Sequence, residues 1–177
     1  MKLSNLVLVI FATFVLFNCQ KKNMNNFILT SAAFGNEEYI PVDNSCEGLD
    51  ESPLLKWDNA PNKTRYFALT CIDPDAPMGD WIHWIAWNIP GAWETMPLNI
   101  NYEDQSQFTQ GTNSWGRTGY GGPCPPIGHG PHRYFFTLYA LDKEIDLDSS
   151  APIEDLLQAI ENHIIAKAVL MGKYERK

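Results

Sequence analysis

Eight residues near the middle of the chain limit its fold more than any other segment: Ile82-His83-Trp84-Ile85-Ala86-Trp87-Asn88-Ile89. Successive side chains of a strand point to opposite faces of its sheet. Here odd and even positions both carry large hydrophobes, so both faces must be covered. Residues 134–141 have the same character. Around these two segments, short apolar runs alternate with Gly, Pro, Asn and Asp clusters, the pattern of an all-β domain. Further strands are expected at 27–32, 52–57 and 66–72.

One helix is expected late in the chain. Pro152 suits a first helical turn, and Glu154 and Asp155 lie near the positive end of the helix dipole. Ile153, Leu156, Leu157, Ile160, Ile164 and Ala168 keep the spacing of one buried face. Gly172 is a natural stop. His163 falls within this helix, one position off the stripe, and reads as a histidine that caps or packs.

The 177 residues suffice for one domain with its own core, and a composition 45% hydrophobic and 19% charged is that of a globular protein. A net charge of -8, with no run of Lys or Arg, argues against a nucleic-acid partner. The N-terminus has a separate logic. Lys2 precedes an unbroken apolar run from Leu6 to Phe17. About 12 helical residues cover about 18 Å, short of a bilayer core of about 30 Å, so a secretory signal fits better than a membrane span. The run ends in Leu16-Phe17-Asn18-Cys19, which resembles a bacterial lipobox with Cys19 as the lipidated residue. The expected organisation is a signal peptide at 1–19, a polar tether at 20–26 and one domain at 27–177. The protein is then exported, either as a membrane-anchored lipoprotein or as a plain periplasmic or secreted protein.

Three cysteines follow Cys19: Cys46, Cys71 and Cys124. An odd number leaves at least one unpaired within the chain. Cys71 sits in an apolar run and reads as a small buried hydrophobe. Cys46 and Cys124 lie in turn-rich segments and are the pair if a disulfide forms. The spacings fit no zinc module, and no cofactor is called for.

Two proline-rich segments resemble parts of a site. Asp73-Pro74-Asp75-Ala76-Pro77 follows the strand at 66–72. Its prolines fix backbone angles and remove two amide donors; either X-Pro bond could be cis. Taken alone, it is a rigid hairpin exit with two solvated acids. By strict alternation His83 shares a face with Ile85 and Trp87, where a histidine is usually a satisfied core residue. Yet a strand, a turn and a returning strand could bring Asp73 and His83 to one end of a sheet. The carboxylate would then orient the imidazole and hold its positive form. The second segment runs from Gly121 to Tyr134, and eight of its fourteen residues are Gly or Pro. It ends in His132-Arg133-Tyr134, whose imidazole, guanidinium and phenol together suit an anionic group. Glycine-rich backbone could add amide donors.

With these motifs in order, the sequence resembles the phosphatidylethanolamine-binding protein family. The first signature is Asp73-Pro74-Asp75-Ala76-Pro77 with Trp81-Ile82-His83-Trp84; the second is Gly122-Pro123-Cys124-Pro125-Pro126 with Gly130-Pro131-His132-Arg133-Tyr134. Ser52-Pro53-Leu54-Leu55-Lys56-Trp57 and the His163 region resemble the family's bacterial, Raf-kinase-inhibitor-like branch. The resemblance implies a Greek-key antiparallel β-sandwich with a large central sheet and a few peripheral helices, one near the C-terminus. It also implies a small anion pocket lined by Asp73, Ala76, His83, Pro126, His132 and Tyr134. Such a pocket takes a phosphate or a phospholipid head group. A second histidine often found in animal members is replaced here by Ile82, and their C-terminal helix beside the pocket is not evident. Eukaryotic members inhibit kinases or a carboxypeptidase or join flowering complexes, so a protein partner is the alternative reading.

An enzyme is the weaker expectation. Asp73, His83 and His132 could form an acid–base group, but no Ser or Thr lies inside either motif. Ser114 is nearby without a nucleophile-elbow sequence, and Cys124 is as open to bridging as to reaction. A binding protein whose two histidines charge near pH 6.5, so that anion affinity rises as pH falls, fits better. Trp81, Trp84 and Trp115 are candidates for the pocket mouth, although Trp84 and Trp87 read as core.

Overall fold

The computed structural model describes residues 26–100 and 107–177. The expected signal segment, Cys19 and all of the tether but Asn26 lie outside the described residues. Among the described residues, eight strands form two antiparallel sheets. The smaller has the order β1 (Ile28–Ser31), β2 (Leu55–Asp58), β5 (Thr95–Met96). The larger has the order β6 (Thr109–Gln110), β4 (Trp81–Pro90), β3 (Tyr66–Asp73), β7 (His132–Leu141), β8 (Ile164–Tyr174).

The doubly covered strand is explained by what lies on each side of the larger sheet. On one face Trp84 and Ala86 pack with Leu55, Trp57 and Met96 of the smaller sheet. On the other, Ile85 and Trp87 pack with Leu156 and Ile160 of helix α1 (Ile153–Ile160). The five residues His83 to Trp87 are all buried. Each fully buried Leu, Ile or Phe in these layers contributes about 1.5–3 kcal/mol. Trp84 also donates its Nε1–H to Gln110 Oε1 at 2.9 Å, which satisfies the indole inside the core.

The late helix is shorter than its apolar stripe suggests. It ends at Ile160, a single 3-10 turn follows at Glu161–His163, and Ile164–Tyr174 is strand β8. Two periodicities overlap here. Ile160, Ile164 and Ala168 keep a helical spacing, but Ala168, Leu170, Gly172 and Tyr174 alternate inward as a strand does. The strand prevails because β7 has apolar residues on both faces and needs a partner along its whole length. Its register with β8 runs from His132↔Tyr174 to Leu141↔Ile164. Gly172 is therefore no helix stop. A Cβ there would lie 2.5 Å from Ile40 and 2.8 Å from Phe34, so the glycine lets the 34–40 segment lie against the sheet. His163 accepts neither a capping nor a core role: its Nδ1 is 2.9 Å from the exposed Asp142 carboxylate.

Cys46 and Cys124 form a disulfide, and Cys71 is free and buried, as the sequence suggests. Every peptide bond among the described residues is trans.

Candidate functional site

The site lies at one end of the larger sheet, on the face turned to the smaller one. Three central strands supply it. Asp73 closes β3. On β7, Tyr134 and Phe136 point into the core, so alternation places His132 on the same face and Arg133 on the other. His83 reaches that face by an irregularity. Cys71 pairs with Trp84 and Ile72 with Ile82, which leaves His83 as the extra residue of a β-bulge. Strict alternation would have put His83 beside Ile85 and Trp87. The bulge instead sets its ring edge-on to Tyr134 at 5.0 Å and to Trp115 at 4.9 Å.

The two loops named in the sequence close over this strand end. Between β3 and β4, Asp73 Oδ1 accepts the Asp75 amide at 2.8 Å, a local Asx turn. Gly79, at φ 97°, completes the reversal in a conformation that favours glycine. Arg133 then grips the hairpin: its Nε and backbone N–H donate to Asp75 Oδ2 at 2.8 and 2.9 Å, and Nη2 to Oδ1 at 2.7 Å. This clamp holds the Asp75 carboxyl below its ordinary range. The loop before β7 is drawn inward at Gly122, whose amide donates to Asp50 Oδ1 at 2.6 Å. A Cβ at Gly122 would lie 2.5 Å from the Asn44 carbonyl oxygen, so only glycine permits this approach.

A cavity of about 300 Å³ results. Of the six residues that the resemblance implied, Asp73, Ala76, His83, Pro126 and His132 line it, together with Pro77, Met78, Trp81, Trp115, Cys124 and Pro125. Tyr134 is wholly buried behind His83, and burial, followed by the nearby Asp73 charge, raises its pKa. Three expectations need correction. Asp73 does not hold His83: its Oδ2 lies 2.8 Å from Nδ1 of His132, and both side chains are buried. His83 instead directs Nδ1 to the Gly121 carbonyl at 2.6 Å. His83 does not charge near pH 6.5 either. Burial lowers its pKa to about 4, against the opposing pull of Gly121, Asp73 and Asp50. Finally, Arg133 is spent on Asp75, and the amides of Gly121 and Gly122 are taken by His83 O and Asp50.

The wall of the mouth is apolar. Trp81 and Trp115 meet edge to face at 5.4 Å, and both line the cavity, whereas Trp84 and Trp87 are core. Met78 is 90% exposed at the hairpin tip. Sequence reasoning missed it, although a large apolar residue between Pro77 and Gly79 at a turn was the available signal. Asp50 was also missed; nothing local in the sequence connects it to Gly122.

Comparison with known proteins agrees with this geometry. The sequence profile described as phosphatidylethanolamine-binding protein matches residues 30–175. The chain belongs to that family. It is 43% identical over 153 residues to a UPF0098 protein of Pyrococcus abyssi, covering 85% of this chain and 86% of the relative. A UPF0098 protein of Methanothermobacter thermautotrophicus is 45% identical over 152 residues, covering 84% of this chain and 98% of the other. Among solved structures, Escherichia coli YbcL, described as a new member of the mammalian family, superposes with a TM-score of 0.80 at 34% identity. The match covers 85% of this chain and 99% of YbcL. A putative phosphatidylethanolamine-binding protein homolog from Chlamydia trachomatis gives a TM-score of 0.79 at 38% identity, over 86% of this chain and 99% of that one. The fold is thus the mainly β, two-sheet sandwich of the family, with one helix near the C-terminus.

Proposed function

We propose that this chain is an exported binding protein whose cavity takes a phosphate-type group, either free or as the head of a larger ligand. The buried pair of Asp73 and His132, 2.8 Å apart at the cavity wall, carries this reading. His132 directs Nδ1 to Asp73, which leaves Nε2 as the ring atom open to a ligand oxygen. The carboxylate fixes the orientation of the ring. The volume suits a head group, and the exposed Met78 and the indoles at the mouth offer apolar surface to whatever the head group carries.

A binding role is favoured over hydrolysis by the state of the candidate nucleophiles. Cys124 is bridged to Cys46. Cys71 is buried, and burial raises its thiol pKa well above the ordinary value. Ser114 Oγ accepts the Ile82 amide at 2.8 Å and does not line the cavity. Export is supported by the disulfide, since such bonds persist in oxidising compartments, and by the apolar leader. In a bacterial host, radiolabelled fatty acid is expected to enter the wild-type chain and not the Cys19→Ser variant. Equal labelling of both would remove the lipoprotein reading.

The test of the binding reading is calorimetric titration of the full-length chain with phosphate and phosphoethanolamine at pH 6. Saturable binding is expected, weakened at least tenfold in His132→Ala. No saturation in the wild type would refute the phosphate reading and leave the fold standing, with a protein partner as the next reading to pursue.

A further inference from the structure

The hydrogen-bond inventory of the cavity restricts which phosphate group fits, given that the phosphate reading above holds. A carbonyl oxygen only accepts hydrogen bonds. The 2.6 Å contact between His83 Nδ1 and the Gly121 carbonyl therefore places the ring's proton on Nδ1. Nε2 remains as a bare lone pair on a ring that lines the cavity. The ring is only 2% exposed and is packed edge-on against two aromatic rings, so a second proton is disfavoured through the neutral range. The titratable groups around it are Asp73 from β3, His132 and Tyr134 from β7, and Asp50 from the loop against Gly122. None of them turns Nε2 into a donor.

The charges of the lining are equally restrictive. Among the described residues that line it, Asp73 is the only carboxylate and none is Lys or Arg, and Arg133 is tied to Asp75. A doubly ionised phosphate would meet a carboxylate and an imidazole lone pair, with no Lys or Arg of the lining to offset them. A singly protonated monoester meets them differently. Its P–O–H donates to His83 Nε2, and its lower charge is less opposed by Asp73. A phosphodiester, fully ionised through the neutral range, has no such proton.

We propose that the cavity selects the monoanionic, singly protonated form of a phosphomonoester, with the neutral imidazole of His83 as the acceptor that reads its P–O–H proton. The family's name speaks of a diester lipid; by this geometry a diester head group is the poorer ligand.

Three probes separate the possibilities with the full-length chain: methyl phosphate, dimethyl phosphate and glycerophosphoethanolamine. At pH 6 methyl phosphate is expected to bind at least tenfold tighter than dimethyl phosphate. The second ionisation of a phosphomonoester lies near pH 6. Its affinity is therefore expected to fall, between pH 6 and pH 8, about fiftyfold more than that of dimethyl phosphate, which does not titrate there and so reports on the protein alone. The ³¹P signal of bound methyl phosphate at pH 7.5 is expected at the monoanion position. In His83→Phe the preference for monoester over diester is expected to vanish; if that variant does not fold, the ³¹P shift in the wild type decides alone. A bound dianion, or equal affinity for the two methyl esters, would overturn the inference while the phosphate reading stood. Tightest binding of glycerophosphoethanolamine would overturn it in favour of an ammonium as the donor to His83. Saturation by none of the three would overturn the phosphate reading and this inference together.

Discussion

Acidification from pH 6.5 to pH 4 is expected to remove about 3 kcal/mol of folding stability through His83 alone. In the folded chain burial holds the imidazole neutral until about pH 4, whereas in the unfolded chain it takes its proton near 6.5. Between those values the unfolded state binds more protons than the folded one, so stability rises with pH across the window. Equivalently, the contribution is complete above pH 6.5 and is lost as pH falls towards 4. The structural cause is the position of the ring, 2% exposed and packed against Trp115 and Tyr134, where burial outweighs what the Gly121 and Gly122 backbone and the Asp73 and Asp50 charges offer an imidazolium. The check is a series of urea unfolding curves from pH 7 to pH 4 for the wild type and for His83→Gln. Glutamine can still donate to the Gly121 carbonyl and has no charge to gain. The variant's stability is expected to be flatter by about 3 kcal/mol over the window. Other acids contribute equally to both proteins, Asp75 among them, and cancel in the comparison. Parallel curves would mean that the His83 ring is solvated well enough to charge inside the fold.

The same residue shows where sequence reasoning stops. The run at 82–89 disclosed a strand covered on both sides, because hydrophobicity at every position admits little else. It did not disclose the bulge, which depends on how β4 pairs with β3 rather than on β4 itself. One unpaired residue moved His83 from the helix-covered face to the face of the site. The motifs likewise identified Asp73, His83 and His132 as neighbours but pointed to the wrong pair. Asp73 and His83 lie on consecutive strands and are the obvious couple in sequence. In the sheet, β3 lies between β4 and β7, so Asp73 has a histidine strand on either side, and the direct bond goes to His132. The C-terminal segment misled for a related reason. Helical and strand spacings coexist from Ile160 to Tyr174, and only the unpaired edge of β7, a tertiary fact, chooses between them. The disulfide was legible by elimination, since Cys71 was marked as core and two cysteines remained in loops.

Loss of that disulfide is expected to be among the most damaging single events for stability. The bond joins positions 78 residues apart. Closing a loop of that length restricts the unfolded chain by roughly 4–5 kcal/mol in the chain-entropy treatment, and measured values fall somewhat lower. A cost of about 3–4 kcal/mol is expected for the double variant Cys46→Ser, Cys124→Ser, read from denaturant unfolding. Cys124 also lines the cavity, which by itself points to an equal loss of ligand affinity. The hydrogen bonds argue otherwise. The loop is held by the Cys46 amide on the Pro123 carbonyl at 3.1 Å, the Gly121 amide on the His83 carbonyl at 2.9 Å and the Gly122 amide on Asp50. None of these needs the sulfur bridge. The bond therefore acts mainly on the unfolded state, and the folded variant is expected to bind methyl phosphate within about threefold of the wild type. A collapse of affinity in a variant that remains folded would show instead that the bridge sets the width of the cavity, and would place the redox state of Cys46 and Cys124 in direct control of ligand binding.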